Sequence, residues 1–420
     1  MKNAYCILLV FLVLFNFKVP LIQYSAVVAL LLASTTYALK PSYTTVLLTL
    51  FRKKYILAIW LGLIAIICLL PVSPILHQTY DFTIIKPFVL EFVLVTIAIY
   101  ILPILIVNAE GDTFLYFLKL VITVFFVQSL IEVFAFALPP FAAVVHYFQK
   151  SEVADMNMGG LRALALTGNP FFSLSAGFGL MYIFLFKYFL EKQARVLNWK
   201  NIMVLLVSII GTFFAGRTGF VGLLFAIAFY IAHWRGFYFK TVSVFKMLGI
   251  VTIAVAALLL VLPPAVNEMI FDKLLPFAFE FVYKYLEGSG VSTTSTDALS
   301  EMYFPISIQT FFTGDGKYTE GTGYYMSTDA GYMRQVLFFG VFGALALFMY
   351  QMCYFLTPFF CALNRPTLRQ RYNDLLFLFF ILAYLLTTHY KGEVIGFLPE
   401  VQVMLIIVLG GYITSYYYKP

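Results

Sequence analysis

Three arginines in this chain share a local pattern. Arg162 follows Gly159-Gly160-Leu161, Arg217 sits in Gly216-Arg217-Thr218-Gly219, and Arg334 closes Gly331-Tyr332-Met333-Arg334. Each stands at the border between a polar loop and an apolar stretch. A guanidinium offers a planar fork of donors that fits phosphate oxygens two at a time, and nearby glycines let backbone approach an anion closely. Three such borders point to phosphate-type anion binding. The competing reading is that each arginine snorkels to an interface or pairs with an acid such as Asp329. Lys391 adds a fourth cation in His389-Tyr390-Lys391-Gly392-Glu393. Lys391 and Glu393, two residues apart, could clamp a substrate or form a solvated turn.

The acids complete the chemistry. Asp315, Glu320, Asp329 and Glu393 fall in polar loops beside apolar segments. Transferring a group onto a hydroxyl requires that hydroxyl to lose a proton, and a carboxylate can take it. Asp329, five residues before Arg334, is the first candidate for that base; it could equally cap the next helix or pair with Arg334. His146 and His389 are weaker candidates. Asp315 and Tyr332 lie in the same glycine-rich run, Gly314 to Gly340, which holds five glycines before Tyr332. Glu91 and Glu132 fall within apolar segments, where an acid tends to face a cavity, although Glu91 could instead reach the headgroups. Thr167-Gly168-Asn169-Pro170 reads as a helix start, with Asn169 as the cap and Pro170 at the first helical position. Its free N–H groups would favour an anion.

These residues must be positioned by a membrane scaffold. Of 420 residues, 62% are hydrophobic and only 11% charged, and the mean hydropathy is +0.93. Soluble domains carry about 25% charged residues. The composition predicts an all-α polytopic membrane protein of about 12 transmembrane helices. The apolar windows lie near 4–18, 20–39, 54–72, 87–107, 113–138, 170–190, 201–216, 218–235, 245–263, 335–357, 374–390 and 398–417. The first window resembles a signal-peptide core without a small-residue cleavage site and is read as a retained helix. The formal charge of +7 reflects basic residues interspersed with spans, not a nucleic-acid patch. Their bias predicts both termini on the cytoplasmic side.

On that topology two long loops, about 139–169 and 264–334, face outward. The chain then divides into N-terminal helices (1–138), central helices with the first external loop (139–263), a large external loop (264–334) and C-terminal helices (335–420). Pro139 to Phe148 and Pro264 to Leu286 mix aromatic residues with charge and suit helices lying in the headgroup layer, the second kinked at Pro276. Gly288 to Asp297 reads as a flexible hinge. There is no HExxH, CxxC, EF-hand or complete phosphate loop; Gly314-Asp315-Gly316-Lys317 is followed by Tyr318 where Ser or Thr would be needed. The four cysteines, Cys6, Cys68, Cys353 and Cys361, fit no metal spacing. The expectation is therefore no metal and no cofactor.

In these motifs the chain resembles the Wzy-type O-antigen polymerases of the O-antigen ligase/polymerase superfamily. The likeness rests on Arg162 with TGNP at 167–170, on GRTG at 216–219, on the run Gly314, Gly316, Asp329, Gly331, Tyr332, Arg334 and Gly340, and on Lys391. It covers roughly residues 155–410; the earlier part matches only in hydropathy. The resemblance implies a metal-independent, GT-C-like glycosyltransferase on the periplasmic face of the bacterial inner membrane. Its substrates would be undecaprenyl-pyrophosphate-linked glycans, and its partners would include a chain-length regulator and a flippase. Arg162, Arg217 and Arg334 map onto arginine positions of the family pattern. Two alternatives stay open: an O-antigen ligase that passes the chain to lipid A–core, and a lipid-linked oligosaccharide flippase or other transporter. The transporter reading predicts duplicated halves, charges deep in the spans and short external loops. The sequence shows no internal repeat.

Overall fold

A backbone in hydrocarbon has no water to bond with, so long apolar segments must close their hydrogen bonds internally as helices. A computed structural model describes residues 2–52, 54–149, 164–169, 171–192, 198–234, 236–261, 268, 271–272, 276, 280–286, 294–321 and 323–417. Among the described residues, eight helices are long and apolar enough to cross a membrane. The apolar helices in chain order are α1 (Lys2–Phe15), α2 (Ser25–Leu39), α3 (Ser42–Phe51), α4 (Lys54–Leu69), α5 (Val72–Leu76), α6 (Ile85–Val107), α7 (Thr113–Ala137), α8 (Pro139–Tyr147), α9 (Phe172–Glu191), α10 (Trp199–Ala215), α11 (Thr218–Ala232) and α12 (Phe237–Val261). The loop elements α13 (Glu280–Leu286), α14 (Thr294–Glu301), α15 (Ile308–Thr313) and a hairpin of β1 (Thr319–Glu320) and β2 (Gly323–Tyr324) follow. The chain ends with α16 (Gly331–Leu363), α17 (Leu368–Lys391) and α18 (Pro399–Tyr417).

Four of the windows form helices under 18 residues, α1, α2, α10 and α11, of 14, 15, 17 and 15 residues, whereas α4 runs on through α5 as one span, Lys54–Leu76. A crossing needs about 20 residues. Helix α3 is an addition, formed where the sequence reads as a connection. Helix α8 forms at Pro139–Tyr147, where the sequence reads as a helix of the first long loop. The expected hinge is only partly described: Thr294–Asp297 belong to α14, while 288–293 lie outside the described residues. So do the neighbours of Pro276 on both sides, and with them the expected kink.

Tight packing fixes the bundle around α9. A Cβ on Gly222 of α11 would run into the backbone of Gly179 of α9, so the two helices cross at bare backbone, a common solution in lipid. Ser175 stitches the α10–α11 break to the same helix: its hydroxyl donates to Gly216 O at 2.7 Å and accepts from Gly219 N at 2.8 Å. Helix α16 bends at Gly340, whose φ of 70° is left-handed. Gly314, also at φ 70°, lies against this bend; a side chain at either glycine would strike the other strand's backbone. Asp315 N then donates to Leu337 O at 2.6 Å, tying the long loop before α16 to that helix.

The termini lie together. Tyr116 at the start of α7 donates to Asn3 at 3.1 Å, and Ser415 donates to Asp112 at 2.8 Å. The far end of α1 meets the 164–169 segment, where Gly168 N donates to Phe15 O at 2.8 Å. Both termini are thus at the end of the bundle opposite to the loops that hold the candidate residues.

Candidate functional site

At that loop end the structure has a cavity of about 700 Å³. Arg217, Asp329, Arg334, Lys391 and Glu393 all line it, although the sequence spreads them over nearly half the chain. The N-terminal turns of α6, α9, α11, α16 and α18 reach it through Pro87, Phe172, Thr218, Arg334 and Pro399. A helix N-terminus carries partial positive charge and free N–H groups. The scaffold therefore adds to the field of the side-chain cations.

Arg334 is the most constrained of them. Only 6% of it is exposed. Its guanidinium lies between two phenol rings, 3.9 Å from the Tyr318 centroid and 3.8 Å from that of Tyr324. Nε forms an ion pair with Glu393 Oε2 at 3.1 Å, and the same carboxylate oxygen accepts from Tyr318 OH at 2.7 Å. With both faces stacked and one edge paired, Nη2 has no partner among the described residues and no water-exposed surface. An orphaned buried donor is costly, so an acceptor that reached Nη2 would relieve that cost.

The loop parts around Arg334 are held by a residue that the sequence reading passed over. Asp81, between α5 and α6, accepts from Tyr318 N at 2.7 Å and Thr319 N at 2.8 Å. Burial would raise the Asp81 carboxyl, but bonds from Thr83, Thr319 and Tyr318 hold it below its usual value. Its charged form thus anchors the β1–β2 hairpin and the Tyr318 ring. The signal for the Tyr318 and Tyr324 sandwich was present only as a tyrosine-rich loop; nothing local says which rings meet which arginine.

The remaining cations are less enclosed. Lys391 Nζ donates to Thr218 Oγ1 at 3.3 Å. Arg217 Nη1 pairs with Glu280 of α13 at 2.7 Å, and both side chains keep some exposure. Arg162 lies outside the described residues. Asp329 is exposed to the cavity. Burial raises its carboxyl above the usual range, while Lys391 and Arg334 pull it partly back. Burial also raises Glu393, against the opposing pull of Arg334 and Tyr318. Asp329 is thus a carboxyl of elevated basicity beside two cations and not locked into an ion pair. Such a group can accept a proton from a hydroxyl and remain near the charge that forms.

Several candidates take other places. Asp315 does not line the cavity; it accepts from Thr310 at 2.9 Å and Tyr325 at 3.3 Å, within the loop. Tyr332 donates to Leu386 O at 3.0 Å. Asn169 does not cap α9: the helix starts at Phe172 with Phe171 before it. Asn169 Nδ2 donates to Glu400 at 2.9 Å, a tertiary bond in place of a local cap; Pro170 lies outside the described residues. His146 bonds Gln149 at 2.9 Å. Glu91 and Glu132 are fully buried in α6 and α7 and neither lines the cavity. Together with Lys187 in α9 they are charged residue types buried within helices, a feature that the transporter alternative also predicts. Among the described residues, no three His, Cys, Asp or Glu side chains group closely enough to hold a metal ion.

Compared with known protein families, curated proteins and solved structures, the chain matches none.

Proposed function

We propose that this membrane protein is a glycosyltransferase that polymerises lipid-pyrophosphate-linked oligosaccharide repeats, as in Wzy-type O-antigen polymerases. The observation that carries the reading is the unpartnered Arg334 Nη2, buried beside a cavity that Arg217 and Lys391 also line. A pyrophosphate leaving group gains negative charge as its bond to the sugar breaks. Fixed donors aimed at that charge stabilise the transition state more than the ground state. In the proposed reaction the acceptor hydroxyl gives its proton to Asp329 and its oxygen attacks the anomeric carbon. The anomeric C–O bond to pyrophosphate breaks, and the diphosphate departs toward Arg334, Lys391 and Arg217. Cleavage of the activated donor supplies the driving force. Apolar lining from Leu90, Phe172, Phe397 and Leu398 suits the first isoprene units of a polyprenyl carrier. On this reading the loop end faces the periplasm and both termini face the cytoplasm.

The test is deletion of the gene followed by a lipopolysaccharide gel. A polymerase null leaves core bearing one repeat unit. Core alone would mark a ligase, and an unaltered ladder would remove both readings.

A further inference from the structure

We infer that His389 is a positioning residue for the cavity, acting through one ring nitrogen. His389 is the third residue from the end of α17 and is fully buried. Its Nδ1 receives two backbone donors, Val394 N at 2.9 Å and Ile395 N at 3.1 Å. A nitrogen that accepts two N–H bonds carries no hydrogen, so the ring is neutral with its proton on Nε2. Nδ1 therefore has no lone pair left to take a proton from a substrate, and Nε2 has no hydrogen-bond partner among the described residues. The ring stands edge-on to Tyr332 at 4.6 Å, which fixes its tilt.

The two peptide groups it holds are those that follow Glu393. Glu393 in turn pairs with Arg334 and receives Tyr318. The same turn is held from its other side by Gln335, which donates to Ile395 O at 3.1 Å, and by Gln351, which accepts from Gly396 N at 3.0 Å. His389 Nδ1 is thus the acceptor that sets where the Glu393 carboxylate stands, and through it the edge that Arg334 turns to the cavity. Removing that acceptor leaves two buried N–H groups unpaired, and the turn must move to find water or another partner.

This inference rests on the anion-site reading for its functional arm but not for its structural one. The side-chain Oδ1 of asparagine reaches the position of Nδ1, whereas glutamine reaches toward Nε2. The experiment compares wild type with His389→Asn, His389→Gln and His389→Phe, purified in nanodiscs. Amide hydrogen exchange at Val394 and Ile395 is followed by mass spectrometry, and binding of inorganic pyrophosphate by calorimetry. The expected result is slow exchange in wild type and H389N and fast exchange in H389Q and H389F. Pyrophosphate affinity should hold in H389N and fall about tenfold in the other two, the equivalent of one lost buried hydrogen bond. If H389N exchanges as fast as H389Q, or if H389Q and H389F stay protected, the Nδ1 role is overturned. If wild type fails to bind pyrophosphate, the anion reading fails and the exchange arm alone decides the role of His389.

Discussion

The two ends of the bundle each bury a charge cluster, and the clusters are built to opposite ends. On the terminal side, Asp374 accepts from Lys187 at 3.0 Å, Arg365 at 2.8 Å and Tyr412 at 2.7 Å, and Lys187 also reaches Glu191 at 2.7 Å. Lys187 is wholly buried and lies 5.2 Å from the Phe377 ring centroid. Each ring and ion there has its partner, and α9, α17, α18 and the end of α16 are pinned together. On the loop side, Arg334 is also stacked between rings and also paired with a carboxylate, yet one guanidinium nitrogen is left over and a cavity opens beside it. A closed cluster serves cohesion, because every charge is already answered. An open one holds donors in place for a charge not yet present.

The comparison breaks first at Arg334. Arg334→Ala should leave the protein in the membrane and slow polymerisation by about 100–1,000-fold, the usual cost of losing one such donor. Arg334→Lys should not restore the rate, because an ammonium neither stacks between two phenols nor donates along a fixed edge. A radiolabelled-repeat assay reads both. Asp374→Ala should do the reverse. Removing the shared carboxylate of a buried cluster costs about 3–5 kcal/mol of stability, seen as a lower melting temperature in detergent. The molecules that stay folded should polymerise at near the normal rate.

Arg217→Ala should have a smaller effect on rate, about tenfold, as expected for one hydrogen bond to a charged group. Arg217 already shares its charge with Glu280, so the cavity loses less. The pH profile sharpens the contrast further. Asp329 must be ionised to act as base, and burial raises its carboxyl. The rate should therefore rise with pH through a midpoint above the ordinary carboxylate range. Lys391 is one of the cations that pull Asp329 back down, so Lys391→Ala should move the midpoint upward. An unmoved midpoint would mean that another group is titrating.

Much of the open cluster was legible because residue type and border position announce themselves. Arginine beside glycine at a loop–helix junction reads as a surface site whatever its partners, and Arg217 and Arg334 do line one cavity. Their convergence was not legible, since it depends on which helix ends are neighbours. The closed cluster was invisible for the same reason: Lys187 and Asp374 meet across 187 positions, and each alone looks like a cytoplasmic loop charge. Asn169 shows the limit of local rules. A cap signature next to proline is a statement about backbone nearby, and Glu400, 231 residues away, offers the same amide a different bond. His389 was read as a possible base from its type; its neighbours' N–H groups give it another task. Hydropathy marked most helices, and the windows already part at Lys40 and Gly216, but it gave no sign of α3, which forms just after Lys40 where the sequence reads as a connection.

The measurement that bears most directly on the central claim is polymer formation by the purified protein in nanodiscs, given a single lipid-pyrophosphate-linked repeat and no nucleotide. Wild type should convert that repeat into a ladder of increasing length, and Arg334→Ala, folded and reconstituted to the same level, should leave it as one unit. A ladder of equal extent from Arg334→Ala would contradict the account.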